Sequence, residues 1–112
     1  MARLSPLDPF GHLVKHALAV VHGQSGRYEQ AIEWADRALI QKPGFIQAMI
    51  ARTAACGHLG LREEGREWVR RIGDIAPQLT VSNMKDFLSR FMVPDALAYQ
   101  VDGVAKAGMR EE

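Results

Sequence analysis

A repeat with a period of 34 residues is the feature of this sequence that most restricts its fold. When the chain is shifted against itself by 34 positions, nine positions match over one period, including both tryptophans, Trp34 and Trp68. Ordinary residue usage predicts about two matches in such a window. A repeat of this length is typical of stacked supersecondary units that bury a continuous core between neighbours. The other matches are Pro9 with Pro43, Pro43 with Pro77, Ala17 with Ala51, Gly23 with Gly57, Gly26 with Gly60, Glu29 with Glu63, Glu33 with Glu67 and Arg37 with Arg71.

Each period has the pattern of two helices joined by a short glycine turn and ended by a proline. In GRYEQAIEWADRALIQKP, residues 26–43, the apolar side chains recur at steps of three and four, which places them on one face of a helix. Gly26 precedes this helix, and Pro43 ends it because proline has no amide N–H. The same pattern predicts helices over 9–24, 45–59 and 61–75. Two helices joined by so short a turn pack side by side and antiparallel.

A further helix pair is predicted after the second period. Met84 and Leu88 lie on one face of a short helix, and Pro94 stands where proline is tolerated in the first turn of the next one. Gly108 is a typical C-terminal stop. We therefore divide the chain into five segments. Residues 1–8 are a linker or a truncated preceding repeat, residues 9–43 and 44–77 are the two repeat units, residues 78–108 are a degenerate capping pair of helices, and residues 109–112 are a tail.

Composition narrows the classes of partner. The chain is 47% hydrophobic and 24% charged, which is ordinary for a folded domain. Its net charge of +1 is small compared with the positive charge that a nucleic-acid-binding surface usually carries. No apolar run approaches the roughly 18 residues that cross a bilayer. We expect no nucleic-acid partner and no membrane contact by this segment. The single cysteine, Cys56, leaves no intrachain disulfide and no cysteine-based zinc site.

Few residues suggest chemistry. His12 and His16 share a helix face, but a metal site needs further ligands and none is apparent. Cys56 stands among small residues, as a buried packing residue does, and a pair with His22, its counterpart 34 residues earlier, is the alternative. We expect no catalytic site, no metal and no cofactor, and therefore no enzyme.

The charged and aromatic residues of the second helices have two interpretations each. Residues 62–71 carry four arginines among three glutamates, which favours a solvated helix face over a basic patch for nucleic acid. Trp34 and Trp68 fall at the same position of successive units. We expect both to pack in the core, and the alternative is an exposed row that forms a contact patch.

Within each period, the second helix resembles a tetratricopeptide repeat. Unit one supplies the glycine, the aromatic, the small residues and the closing proline of that pattern, and these are Gly26, Tyr28, Ala31, Ala35, Ala38 and Pro43. Unit two supplies Gly60, Gly65, Val69 and Pro77, but it places Arg62 at the aromatic position and Ile72 at the last small one. The first helices depart from the pattern, with Lys15, Leu18 and Ala19, then Met49, Arg52 and Thr53, at its tryptophan, leucine and glycine positions. The resemblance covers about residues 9–77 and implies an all-α fold, a right-handed α-α superhelix.

The end of the sequence carries a shorter resemblance. VDGVAKAGM, residues 101–109, is similar to the tail that closes such repeat regions in bacterial adenylate cyclases and winged-helix regulators. This similarity implies that the chain is the C-terminal part of a larger bacterial signalling protein in the cytoplasm. The Pro-rich start of the sequence agrees with an array cut between two units.

The tetratricopeptide resemblance also implies where a partner binds. The first helices of such units line a concave groove, and an apolar peptide or a partner helix lying in it is the expected function of this chain. The alternative is self-association, in which two copies pair through apolar ends or grooves and dimerise their parent protein. The groove positions implied by the resemblance are Leu13, His16, Val20, Gln24, Gln47, Ile50, Ala54 and His58.

Overall fold

Six α-helices form the part of the chain that the structure describes. The computed structural model describes residues 11–112, and within that range it contains helices and no strand, which confirms the all-α prediction. The predicted linker over residues 1–8 and the predicted helix start at Pro9 lie outside this range. The helices are α1 Gly11–Gln24, α2 Tyr28–Gln41, α3 Ile46–Leu59, α4 Arg62–Ile75, α5 Val81–Leu88 and α6 Pro94–Lys106.

The two glycine turns have the same backbone geometry. Gly26, between α1 and α2, has φ of 81°, and Gly60, between α3 and α4, has φ of 75°. These angles lie in the left-handed region, which costs a residue with a Cβ free energy. The amide of the residue after each glycine donates to a carbonyl five positions back, Arg27 to His22 at 2.9 Å and Leu61 to Cys56 at 3.0 Å. Both turns thus close their helix with a Schellman-type bond, and the 34-residue period appears in the backbone itself.

Helix α3 is the central helix. Eight of its 14 residues are buried, on every side of the helix, and it packs against α2, α4, α6 and α1. Ile50 and Met84 belong to the larger apolar cluster, together with Val104 from α6. A smaller cluster joins Val20 and Ala96. Both clusters therefore include residues of α6, so this helix is part of the core.

The last helix does not extend the stack of helix pairs. The sequence predicts a capping pair over residues 78–108, and α5 and α6 do form there and contact each other. However, α6 has its most extensive contacts with α3, and it also contacts α1. It therefore lies across the first helices of both units. None of the helices within residues 11–112 combines the length and apolar character needed to cross a membrane.

The C-terminal residues are part of the fold. The carbonyls of Arg110 and Glu111 accept hydrogen bonds from the amides of Val81 and Ser82, at 2.9 and 3.1 Å. These amides are among the four that a helix leaves unpaired at its N-terminus. The Met109 side chain is buried in the larger apolar cluster. The segment predicted as a tail thus holds the end of α6 against the start of α5.

One arginine connects three helices. Arg52 on α3 lies 2.7 Å from Asp36 on α2 and 2.6 Å from Glu64 on α4, and its guanidinium lies 4.8 Å from the centre of the Trp68 ring. The hydrogen bond from Arg52 lowers the pKa of the Glu64 carboxyl. Charge-assisted bonds of this kind are shorter and stronger than neutral ones. The network ties the second helix of unit one to both helices of unit two.

The two tryptophans have equivalent surroundings. The Arg37 guanidinium lies 4.6 Å from the Trp34 ring centre, and the Arg71 guanidinium lies 4.7 Å from the Trp68 ring centre. Both indoles are half-buried, and each packs against one of the two apolar clusters. Their apolar faces therefore contribute to the core, and the arginines cover their outer faces.

Candidate functional site

Helix α6 covers much of the surface that the sequence predicts to be a peptide groove. Val20, Ile50 and Ala54 are buried, because residues of α6 lie in the same apolar clusters or in direct contact with them. In this arrangement the three side chains are not accessible to an external peptide. The remaining predicted groove residues are the half-buried His16, Gln47 and His58 and the exposed Leu13 and Gln24.

The two helices cross at backbone contact. A Cβ atom placed on Gly57 of α3 would lie 1.9 Å from the Gly103 carbonyl oxygen of α6. A Cβ atom on Gly103 would lie 2.5 Å from the carbonyl oxygen of Ala54. Real Cβ atoms do not approach other atoms this closely, so the crossing requires glycine on both helices. At a third position, a Cβ atom on Gly23 of α1 would lie 2.2 Å from the Tyr99 hydroxyl oxygen.

One polar contact joins His58, a predicted groove residue, to the backbone of α6. The His58 Nε2 atom lies 2.9 Å from the carbonyl oxygen of Tyr99. Because a carbonyl only accepts, this geometry assigns the proton to Nε2 as the donor. The His58 ring also lies parallel to the rings of Tyr99 and Tyr28, with centroids 4.7 and 5.2 Å away. This aromatic cluster, Tyr28, His58 and Tyr99, holds the middle of α6 at the glycine turn of unit one.

Two buried polar atoms on α6 lack a partner. Within residues 11–112, neither the Tyr99 hydroxyl nor Gln100 Oε1 has a hydrogen-bond partner, although both atoms are buried. Each such atom costs roughly 1–3 kcal/mol relative to a satisfied one. Burial also raises the pKa of the Tyr99 hydroxyl. The α6 interface therefore combines close backbone packing with two buried polar atoms that lack hydrogen bonds.

His16 is the third residue with a buried and unpartnered polar atom. Its Nε2 atom has no hydrogen-bond partner among the residues that the structure describes, and its ring packs edge-on against Phe45, with centroids 5.5 Å apart. Burial disfavours the charged imidazolium and lowers the pKa of His16 to about 4 from its ordinary value of 6.5. His16 is therefore neutral at pH 7.

Acidification is expected to destabilise the protein through His16. As the pH falls below 6.5, the unfolded chain takes up a proton at this position before the folded chain does, so the free energy of unfolding decreases until the pH reaches about 4. The loss is about 3 kcal/mol at 1.4 kcal/mol per pKa unit. Urea titrations of the chain and of His16→Leu between pH 7.5 and 4 measure it, and the variant is expected to have a flatter profile.

His12→Leu provides the matched control for this prediction. His12 lies one turn away and packs against the same Phe45 ring, with centroids 5.0 Å apart. If His12→Leu flattens the profile as much as His16→Leu does, the assignment to His16 is wrong. The comparison also removes the contribution of carboxylates such as Glu64, because both variants retain them.

The thiol of Cys56 contacts an arginine and a carboxylate, and not the histidine that the repeat pairs with it. The Cys56 sulfur lies 3.2 Å from Arg52 Nη1 and 3.5 Å from Glu64 Oε2, and burial raises the pKa of its thiol to about 11. Its counterpart His22 accepts a hydrogen bond on Nδ1 from Arg27 Nε, at 2.8 Å. A thiol with a raised pKa is a weak nucleophile at neutral pH. Within residues 11–112, no group of three His, Cys, Asp or Glu side chains is placed to hold a metal ion.

Sequence reasoning missed the residues of α6 that contact the groove. Tyr99, Gly103 and Val104 all lie in a segment predicted only as part of a capping helix. The available signal was Gly103, because glycine inside a helix costs about 1 kcal/mol relative to alanine and usually has a packing reason. No family model, curated protein or solved structure matches the chain.

Proposed function

We propose that this chain is a non-enzymatic protein–protein interaction module that binds an apolar helix in the groove formed by α1 and α3. In this proposal the two helix pairs form a tetratricopeptide-like superhelix, with α1 and α3 on its inner side. The observation that supports the proposal is α6 itself. This surface accepts a helix at backbone contact, through Gly57 and Ala54, and helix-in-groove binding is a common mode of peptide recognition.

The contacts of α6 describe the ligand that the groove suits. Gly103 occupies the crossing point, and Val104 is completely buried beside it. One turn earlier, the Tyr99 ring stacks on the His58 ring, and the Tyr99 carbonyl oxygen accepts a hydrogen bond from His58 Nε2. One turn later, Ala107 is buried and lies close to Gly65 of α4. A partner helix would therefore carry an aromatic residue, a glycine and a second small residue at successive turns.

A partner helix must compete with α6 for the groove. An intramolecular helix has a high effective concentration, so few chains have an open groove at any time. The apparent Kd of a partner is its intrinsic Kd divided by that open fraction. The unpartnered Tyr99 hydroxyl and Gln100 Oε1 lower the stability of the closed form. A partner that satisfies these groups or leaves them in water gains an advantage over α6.

A fluorescent peptide with the sequence of residues 93–112 tests the groove directly. The receptor is the full chain with Gly103→Leu, in which the native α6 no longer fits but every groove residue is retained. We expect saturable binding of the peptide by fluorescence anisotropy. We also expect the thermal midpoint of the variant to rise with peptide concentration, because a ligand of the folded state stabilises it. The second measurement applies even if the variant is marginally stable.

Two controls make the result specific. A peptide that itself carries Gly103→Leu is expected not to bind, because its side chain meets the Ala54 backbone. The receptor with both Gly103→Leu and Gly57→Leu is expected to lose the binding of the native peptide, because the groove is then filled from the other side. If the native peptide neither binds nor raises the thermal midpoint, the proposed function is rejected.

A further inference from the structure

We propose that the partner helix is the α6 of a second copy of this chain, so that two copies exchange α6 and form a dimer. This inference rests on the proposed function, because it assumes that the groove binds a helix in trans. The groove contacts α6 through Gly57, Ala54 and His58. A second copy carries an identical α6 and can make the same contacts without any change in sequence.

The connection between α5 and α6 can act as a hinge that lets α6 leave its own chain. The residues after Leu88 continue the helical hydrogen bonds of α5, since the Ser89 amide donates to the Lys85 carbonyl and the Met92 amide donates to the Leu88 carbonyl, both at 3.0 Å. Val93, the residue directly before α6, has an extended backbone with φ of −66° and ψ of 153°. Pro94 holds Val93 in this extended conformation. Opening therefore needs a change at the end of this helical segment and leaves α5 intact.

Three of the large apolar side chains that are exposed within residues 11–112 lie at or next to this connection. Phe87 is 43% exposed, Phe91 is 65% exposed and Val93 is 66% exposed. Phe87 and Phe91 lie one turn apart and contact each other edge-on, with ring centroids at 5.2 Å. When two chains exchange α6, their connections run past each other around the symmetry axis. The exchange thus brings the two aromatic pairs together and removes from water a surface that the closed monomer leaves exposed.

The hinge within this connection is short. The connection spans five residues, 89–93, as many as the one between α4 and α5, but the residues up to Met92 carry hydrogen bonds that continue from α5. The extended backbone that leads into α6 is therefore limited to Val93, and a short hinge favours exchange, because closing the monomer requires a tight reversal that the exchanged form does not need. The C-terminal residues can move with α6, because their hydrogen bonds to Val81 and Ser82 are made by backbone atoms and form equally well with α5 of the second copy.

A complementation experiment separates exchange from other modes of pairing. One full-length variant carries Gly103→Leu, which excludes its α6 from any groove, and the other carries Gly57→Leu, which blocks its groove. Each variant alone lacks a matched pair of groove and helix. A 1:1 mixture restores one pair, the groove of the first variant with the α6 of the second. We expect light scattering behind a sizing column to show at least a tenfold higher dimer fraction in the mixture than in either variant alone.

A second variant keeps the proposal testable if the leucine variants do not fold. Deleting Ser89 and Arg90 from the otherwise native chain leaves the connection too short for closure, and we expect a dimer that persists over a hundredfold dilution. Inserting Gly-Gly-Ser after Met92, where the hydrogen bonds that continue from α5 end, lengthens the hinge, relieves the reversal and is expected to give a monomer. Phe91→Ser is expected to lower the dimer fraction of the native chain at least tenfold.

The outcomes are distinct. A dimer that forms only in the mixture, or a persistent dimer of the shortened chain together with a monomer of the lengthened one, supports the exchange. The exchange is overturned if both the mixture and the shortened chain are monomeric. It is also overturned if the shortened chain unfolds and the mixture is monomeric. Equal dimerisation of each leucine variant alone also overturns it, because the copies then pair without the groove. Peptide binding without any dimer rejects the exchange and leaves the proposed function standing.

Discussion

Replacing Gly103 by leucine is expected to drive α6 out of the groove and to lower the free energy of unfolding by about 3 kcal/mol or more. Overpacking in a core usually costs about 1–3 kcal/mol. Here the new side chain meets a backbone, because a Cβ atom at this position would already lie 2.5 Å from the Ala54 carbonyl oxygen and 2.6 Å from its Cα. A backbone cannot move aside by changing a rotamer, so the helices must separate. Denaturant unfolding monitored by circular dichroism measures the loss.

Gly73→Ala is the matched control for this substitution. Gly73 also lies inside a helix, α4, but a Cβ atom there would meet nothing within 4 Å. Alanine is a better helix former than glycine by about 1 kcal/mol, so this variant is expected to be slightly more stable than the native chain. If Gly103→Leu unfolds at the same denaturant concentration as the native chain, α6 does not cross α3 as described here.

Replacing Ile50 by alanine is expected to lower the free energy of unfolding by about 2–5 kcal/mol. Ile50 is completely buried in the larger apolar cluster, where Val104 and Met84 belong to the same set. Removing its side chain beyond Cβ leaves a cavity that the central helix cannot close. The same burial means that a charged residue at Ile50 unfolds the protein and cannot serve as a test of peptide binding.

Ile40→Ala provides the comparison for Ile50. Ile40 is 80% exposed at the end of α2, and surface substitutions of this kind are usually within about 0.5 kcal/mol of the native stability. The two variants delete the same atoms from positions that differ in burial. Equal losses at both positions would mean that the groove side of α3 is not covered, and the assignment of α6 to that face would be incorrect.

The local structure could be predicted closely from the sequence because its determinants are local. The period fixes the two turns, and Gly26 and Gly60 adopt the left-handed conformation that a glycine turn requires. The spacing of apolar residues gives α2 over Tyr28–Gln41 and α4 over Arg62–Ile75, within two residues of the predicted ends. Pro94 begins α6 in the first-turn position, as predicted.

The position of α6 could not be predicted because it depends on contacts between residues distant in sequence. Leu97, Val101 and Val104 recur at steps of four and three and therefore lie on one face of α6, but nothing in that pattern states which helix this face contacts. The pairing depends on Gly57 and Gly103, which are 46 residues apart and lie in different helices. Periodicity identifies a buried face, but it does not identify the partner.

The resemblance supplied the candidate groove residues, but it gave no indication that α6 lies against several of them. The resemblance to tetratricopeptide repeats implies that Val20, Ala54 and His58 line an inner surface, and the structure places each of them beneath or beside α6. Binding of an external peptide there stays a prediction. The structure adds the requirement that any such peptide must replace a helix that already fits the surface.

An NMR measurement of the contact between α3 and α6 in the full chain tests the position of α6 most directly. If α6 lies in the groove, nuclear Overhauser effects are expected between the Hα protons of Gly103 and those of Ala54 and Gly57, and between the ring protons of His58 and Tyr99. The amides of α6 would also exchange slowly with solvent. Absence of these effects, together with rapid exchange throughout α6, would show that α6 does not pack against α3.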